Sequence, residues 1–114
     1  MKNLAIQQIA GTFIRPFTKT ATSYVILVSD YTIDANNAAV AITVTLPAAA
    51  LNLGRVLIVK RDQGSTGTVT IATSGGLVQS AAGTFAATAN LGTLNTFSQN
   101  STFQSDGTNW HRIN

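Results

Sequence analysis

Apolar and polar residues alternate along much of the chain from Thr20 onward. In residues 40–46, Ile42, Val44 and Leu46 fall on one face and Thr43 and Thr45 on the other. This period of two marks a strand with one buried face. Pro47, which has no N–H for a ladder, closes that strand. Residues 68–73 alternate in the same way. Two further runs, residues 24–28 and 55–61, are apolar on both faces, as expected of a strand that is fully buried or lies at a subunit interface. Asp30-Tyr-Thr-Ile-Asp34 reads as a short strand leading into a turn at Asn36-Asn37. Residues 48–51 read as one helical turn ended by Gly54, and residues 62–67 as a loop.

Residues 74–95 are low in complexity, with isolated Leu77, Val78, Phe85, Leu91 and Leu94 among Ser, Gly, Ala, Thr and Asn. They predict short strands and turns, either small enough to let chains approach closely at a symmetry axis or forming a flexible loop. Residues 96–102 and 108–113 predict a closing hairpin. Phe103 stands on its first strand, Asp106 and Gly107 form a tight turn, and Trp110 and Ile113 stand on the return. Asp-Gly between alternating stretches is a strong hairpin signal, because Gly accepts the positive φ of the turn. Many short strands separated by turns predict an all-β fold, a small antiparallel sandwich or jelly-roll-like barrel.

Residues 1–18 differ from the β-domain expected over residues 19–114. Ile6, Ile9 and Phe13 fall near helical spacing, but Gly11 interrupts them and Pro16 ends any helix. Leu4, Ile6, Ile9, Phe13, Ile14 and Phe17 give this arm six large apolar side chains. They need either a partner surface or the domain's own core. With Arg15, they are the candidate attachment residues.

The chain has 114 residues, enough for one domain with one modest core. Charged residues make up only 10% of it and hydrophobic ones 45%. Such low charge fits a surface covered by copies of itself or by a larger assembly; the alternative is solubility supplied by Thr, Ser and Asn. The net charge of +3 is carried by Lys2, Arg15 and Lys19, ahead of any acidic residue. Beyond them, Arg55, Lys60, Arg61 and Arg112 balance Asp30, Asp34, Asp62 and Asp106. A neutral body argues against nucleic-acid binding, which needs a basic patch, and a basic arm suits an acidic protein surface. There is no cysteine, so disulfides and thiolate metal sites are excluded. No apolar run approaches the roughly 20 residues of a membrane-spanning helix.

Candidate chemistry is sparse. His111 is the only histidine and reads as a strand residue, and there is no Glu. The four Asp residues lie at or near turns and strand ends, where Asp favours the local backbone. Gly64-Ser-Thr-Gly67 lacks the Lys and helix start of a phosphate loop, and no calcium-loop spacing is present. No catalytic residue, metal ligand or cofactor site is expected. Tyr24, Tyr31, Phe97, Phe103 and Trp110 are candidates for stacking on a sugar. The competing reading makes Trp110 a plug for one end of the fold.

The order of these segments carries a resemblance. Asp30-Tyr-Thr-Ile33, Ile42-Thr-Val-Thr-Leu-Pro47, Gly54-Arg-Val-Leu-Ile-Val-Lys60, Thr68-Val-Thr-Ile71, Gly75-Gly76 and the terminal Ser105-Asp-Gly-Thr-Asn-Trp110 resemble small β-domains of bacteriophage virion proteins. Tail-fibre tips, head fibres and capsid decoration proteins are of this kind. The resemblance spans roughly residues 20–114. It implies a non-enzymatic homotrimer on the virion, made in the host cytoplasm. Its partners would be itself, the major capsid or another virion protein, and, in the alternative of a receptor- or carbohydrate-binding tip, a host surface glycan. An arm of only about eighteen residues favours a decoration or head-fibre protein.

Overall fold

The computed structural model describes residues 14–36, 40–62, 67–91 and 99–113. Among these residues, eleven short strands form two sheets: β1 (Phe17–Thr20), β2 (Tyr24–Val25), β3 (Thr32–Ala35), β4 (Ile42–Leu46), β5 (Val56–Arg61), β6 (Val69–Thr73), β7 (Val78–Gln79), β8 (Phe85–Ala86), β9 (Thr88–Asn90), β10 (Gln99–Ser105) and β11 (Trp110–Arg112). One sheet has the order β1-β3-β5-β10-β11-β7-β8, the other β2-β4-β6-β9. The fold is all-β with two sheets, as the alternating pattern implies.

Strand direction differs from the antiparallel expectation. Consecutive strands from β1 to β6 alternate between the sheets, so the chain winds as a flattened coil. Each strand lies parallel to the one a full winding earlier: β1 with β3, β3 with β5, β2 with β4, and β4 with β6. Antiparallel pairing enters later, where β9 joins β6, β10 joins β5, β11 joins β10 and β8 joins β7. The reason is local. A corner residue such as Asp30 bends the chain, but it does not decide whether the chain returns in its own sheet or crosses to the other.

The core lies between the sheets. Ile42, Val44 and Leu46 of β4 face inward against Ile33, Leu57, Val59 and Phe103 of the larger sheet, all essentially inaccessible. In β5 the inward set is Leu57, Val59 and Arg61, while Val56, Ile58 and Lys60 are half-buried on the outer face. The other doubly apolar run is not a buried strand. Only Tyr24 and Val25 pair, Ile26 is buried, and Val25, Leu27 and Val28 are exposed. A corner replaces the strand because the Asp30 carboxylate accepts the Leu27 N–H and the Arg55 guanidinium binds the Leu27 carbonyl. The single helical turn is a 3-10 turn at Ala49–Leu51, followed by Gly54 at φ +80°.

β1 begins at Phe17, so Phe17 and Lys19 belong to the sheet. Leu4, Ile6, Ile9 and Phe13 lie outside the described residues, as do Asn37 of the expected turn, most of the loop at 62–67, and Phe97.

Candidate functional site: the terminal hairpin and the first winding

The hairpin pairs Ser105 with Trp110, Gln104 with His111 and Phe103 with Arg112. The connection is therefore the four residues Asp106 to Asn109, wider than a two-residue turn. Asp106 organises it. Its Oδ1 accepts the N–H groups of Thr108 and Asn109, each at 2.8 Å, and its own N–H donates to the Asn109 carbonyl at 3.1 Å. Gly107 takes φ +90°, which side chains disfavour.

Trp110 and Phe103 are fully buried. Trp110 Nε1 donates to the Pro47 carbonyl at 2.8 Å, tying the hairpin to the end of β4 in the opposite sheet. Neither ring has a face open to a sugar. Tyr24 gives its hydroxyl to Asp30 at 2.7 Å. Tyr31 is half-buried beneath the Arg15 guanidinium, 5.3 Å from the ring centre.

His111 Nε2 lies 2.7 Å from Asp106 Oδ2 on the exposed side of the hairpin. The bond from the Asn109 N–H, then His111 and the Thr108 N–H, hold the Asp106 carboxyl down at about 2. A shallow hollow of about 270 Å³ is lined there by Gln104, Ser105, Asp106, His111 and Ile113. An oriented His–Asp pair is half of an acid–base device, but a nucleophile must stand within reach of the imidazole. The Ser105 hydroxyl is committed elsewhere: it is buried, donates to the Ala49 carbonyl at 2.8 Å and accepts the Gly107 N–H. The pair links the turn to β11.

Three charged groups do structural work that residue type alone does not announce. Arg112 reaches between the sheets, donating to the Asn90 and Gln79 carbonyls and to Ser101 Oγ, with its guanidinium 5.0 Å from the Phe103 ring centre. Burial lowers its pKa. Asp30 accepts from the Tyr24 hydroxyl, the Leu27 N–H and the Thr18 hydroxyl. Burial pushes its pKa up, but these bonds and the nearby Arg55 charge outweigh that and leave it lowered. Asp34 is the opposite case. It is 1% exposed, and neither carboxylate oxygen receives a donor. Burial and the adjacent Asp62 carboxyl raise its pKa against the opposing pull of Lys60 and Lys19.

The first winding, residues 14–28, holds the three predicted attachment residues that are described. Ile14 is 84% and Phe17 55% exposed. Arg15 stacks on Tyr31, and the Pro16 carbonyl accepts the Thr32 N–H at 3.1 Å. The root of the arm is thus fastened to β3 and Tyr31 while its apolar side chains face solvent. The structure does not bring these residues near the hairpin set: β1 is the outermost strand of its sheet, separated from β10 and β11 by β3 and β5.

Among the described residues, no three His, Cys, Asp or Glu side chains gather as a metal site, and no helix is long and apolar enough to cross a membrane. Comparison with protein-family models, with curated proteins and with solved structures gives no match.

Proposed function

We propose that this protein is a non-enzymatic structural component of a bacteriophage virion, a capsid decoration or head-fibre protein held to the particle by its N-terminal arm. The observation that carries this reading is the state of the arm's root. Ile14 and Phe17 stand in solvent on a segment that Arg15 and Pro16 fasten to the domain. Large apolar side chains held in that way suit a protein partner. The ordered β-motifs that resemble phage domains supply the virion. Leu51 and Leu53, exposed at the corner between β4 and β5, offer surface for contact between copies in a homotrimer.

The second reading is a receptor-binding tip. The hollow beside Asp106 and His111 favours it, since polar side chains line an open concavity there. Electron microscopy of intact particles separates the two. Density for the domain on the head surface supports decoration. Density at the distal end of a tail fibre supports the receptor reading, and absence from the particle contradicts both.

A further inference from the structure

We propose that the free edge of β1 takes up an extended segment of an acidic partner protein as an added strand. The inference deepens the attachment reading by giving the contact a mode and a chemistry.

The backbone comes first. Thr32 donates to the Pro16 carbonyl and Asn36 to the Thr20 carbonyl, so alternate residues of β1 turn their polar groups toward β3. By that alternation Phe17 and Lys19 turn theirs away. β1 is the terminal strand of its sheet, and no described strand lies beyond it. A row of outward N–H and C=O groups is a ready template for another strand. The opposite margins of the two sheets are drawn together, with β7 packed near both β6 and β9, so among the described residues the first winding is the open end of the coil.

The side chains point the same way. Of the ten exposed large apolar side chains among the described residues, five, Ile14, Phe17, Val25, Leu27 and Val28, lie on this one winding. Soluble surfaces that concentrate apolar groups in this way mark interaction sites. The same residues, 14–28, include Arg15 and Lys19 and no acidic residue. Phe17 and Lys19 project from one face of β1, two residues apart. The complementary strand therefore alternates apolar and acidic residues along the face it shares with them. A second copy docked antiparallel about Lys19 would set Lys19 against Lys19, which disfavours that register.

The test uses the full-length protein and two synthetic extended peptides, one alternating valine with glutamate and one alternating valine with lysine. Binding is followed by NMR. The glutamate peptide should shift and protect the Phe17 and Lys19 amides, and the lysine peptide should not. Lys19→Pro removes one outward N–H at an edge position where proline is tolerated, and it should abolish the shifts at Phe17 without lowering the melting temperature. Lys19→Gln keeps the N–H and should weaken binding while reducing its salt dependence. Equal binding of both peptides, no binding of either, or shifts centred elsewhere overturns the proposal. So does a change in oligomeric mass in Lys19→Pro, which would assign the edge to a second copy. No particle is needed, so this test can fail while the virion reading stands.

Discussion

The indole N–H of Trp110 meets the main-chain carbonyl of Pro47 at 2.8 Å, joining the last strand of one sheet to the residue that ends β4 in the other. Burial and a hydrogen bond act together at this point. Truncation of a buried Trp to Ala typically costs ~3–5 kcal/mol, a large share of the roughly 5–15 kcal/mol that holds a small domain. Trp110→Ala should therefore lose most of its resistance to urea or fail to fold. Trp110→Phe keeps much of the apolar volume and leaves the Pro47 carbonyl without its donor, which should cost about 1–3 kcal/mol. A Trp110→Ala protein with a wild-type unfolding midpoint would contradict the plug role.

Three glycines with positive φ should rank by what surrounds them. A Cβ on Gly76 would lie 2.3 Å from the Thr108 carbonyl oxygen. On Gly107 it would meet Leu53 Cδ1 at 3.2 Å, the far end of a side chain, and on Gly54 it meets nothing within 4 Å. All three alanine variants carry the left-handed backbone cost of roughly 1–2 kcal/mol. Gly76→Ala alone must also displace backbone at the hairpin. Thermal melts should place Gly76→Ala lowest, Gly107→Ala next and Gly54→Ala closest to wild type. Equal melting temperatures would contradict the close approach at Gly76.

Asp34 and Asp106 should give stability opposite dependences on pH. The folded pKa of Asp34 is raised above the unfolded value of about 3.9. The folded state therefore favours its protonated form, and that contribution is lost as pH rises through the folded value. Asp34→Asn mimics the protonated group, so it should stabilise the protein at neutral pH, with the gain shrinking in acid. The Asp106 carboxyl lies at about 2 when folded. Its contribution is present above the unfolded value and lost as pH falls toward 2. Urea titrations of the wild type, Asp34→Asn and Asp106→Asn across pH check the signs, and destabilisation by Asp34→Asn at neutral pH would contradict the assignment.

Light scattering on the purified protein should give three times the 11.9 kDa chain mass. Closed cyclic assembly buries apolar surface without leaving sites for runaway growth. A monomer persisting at micromolar concentration contradicts the trimer.

The sequence and the structure agree most closely where side-chain period governs. The alternation of Ile42, Val44 and Leu46 marks β4 and its buried face, Pro47 and Gly54 bracket the following corner, and the segment from Phe103 to Trp110 marks the closing hairpin. Period says nothing of strand direction, so the parallel winding was not legible. The run at 24–28 looks like a strand because Val25, Leu27 and Val28 are apolar, and the local Asp30 bond to the Leu27 N–H together with the Arg55 bond from 28 residues along the chain turns it outward. The buried positions of Asp34 and Arg61 and the half-buried one of Arg112 were equally hidden, since a charged residue in an alternating pattern reads as solvent-facing. The candidate attachment set rests on composition and charge, and of its seven residues only Ile14, Arg15 and Phe17 are described. The free edge of β1 beside them depends on sheet order, which no local pattern encodes.

If the N-terminal arm holds the protein to its particle, particle occupancy by a truncated chain shows it. Removing residues 1–17 takes away every candidate attachment residue and, of the described strands, only the first residue of β1, so the domain should remain folded and oligomeric. Full-length protein added to particles that lack it should bind. The truncated form should be lost from them, and high salt should weaken full-length binding only in part, because apolar contacts are not screened. Wild-type occupancy by the truncated protein would contradict the claim.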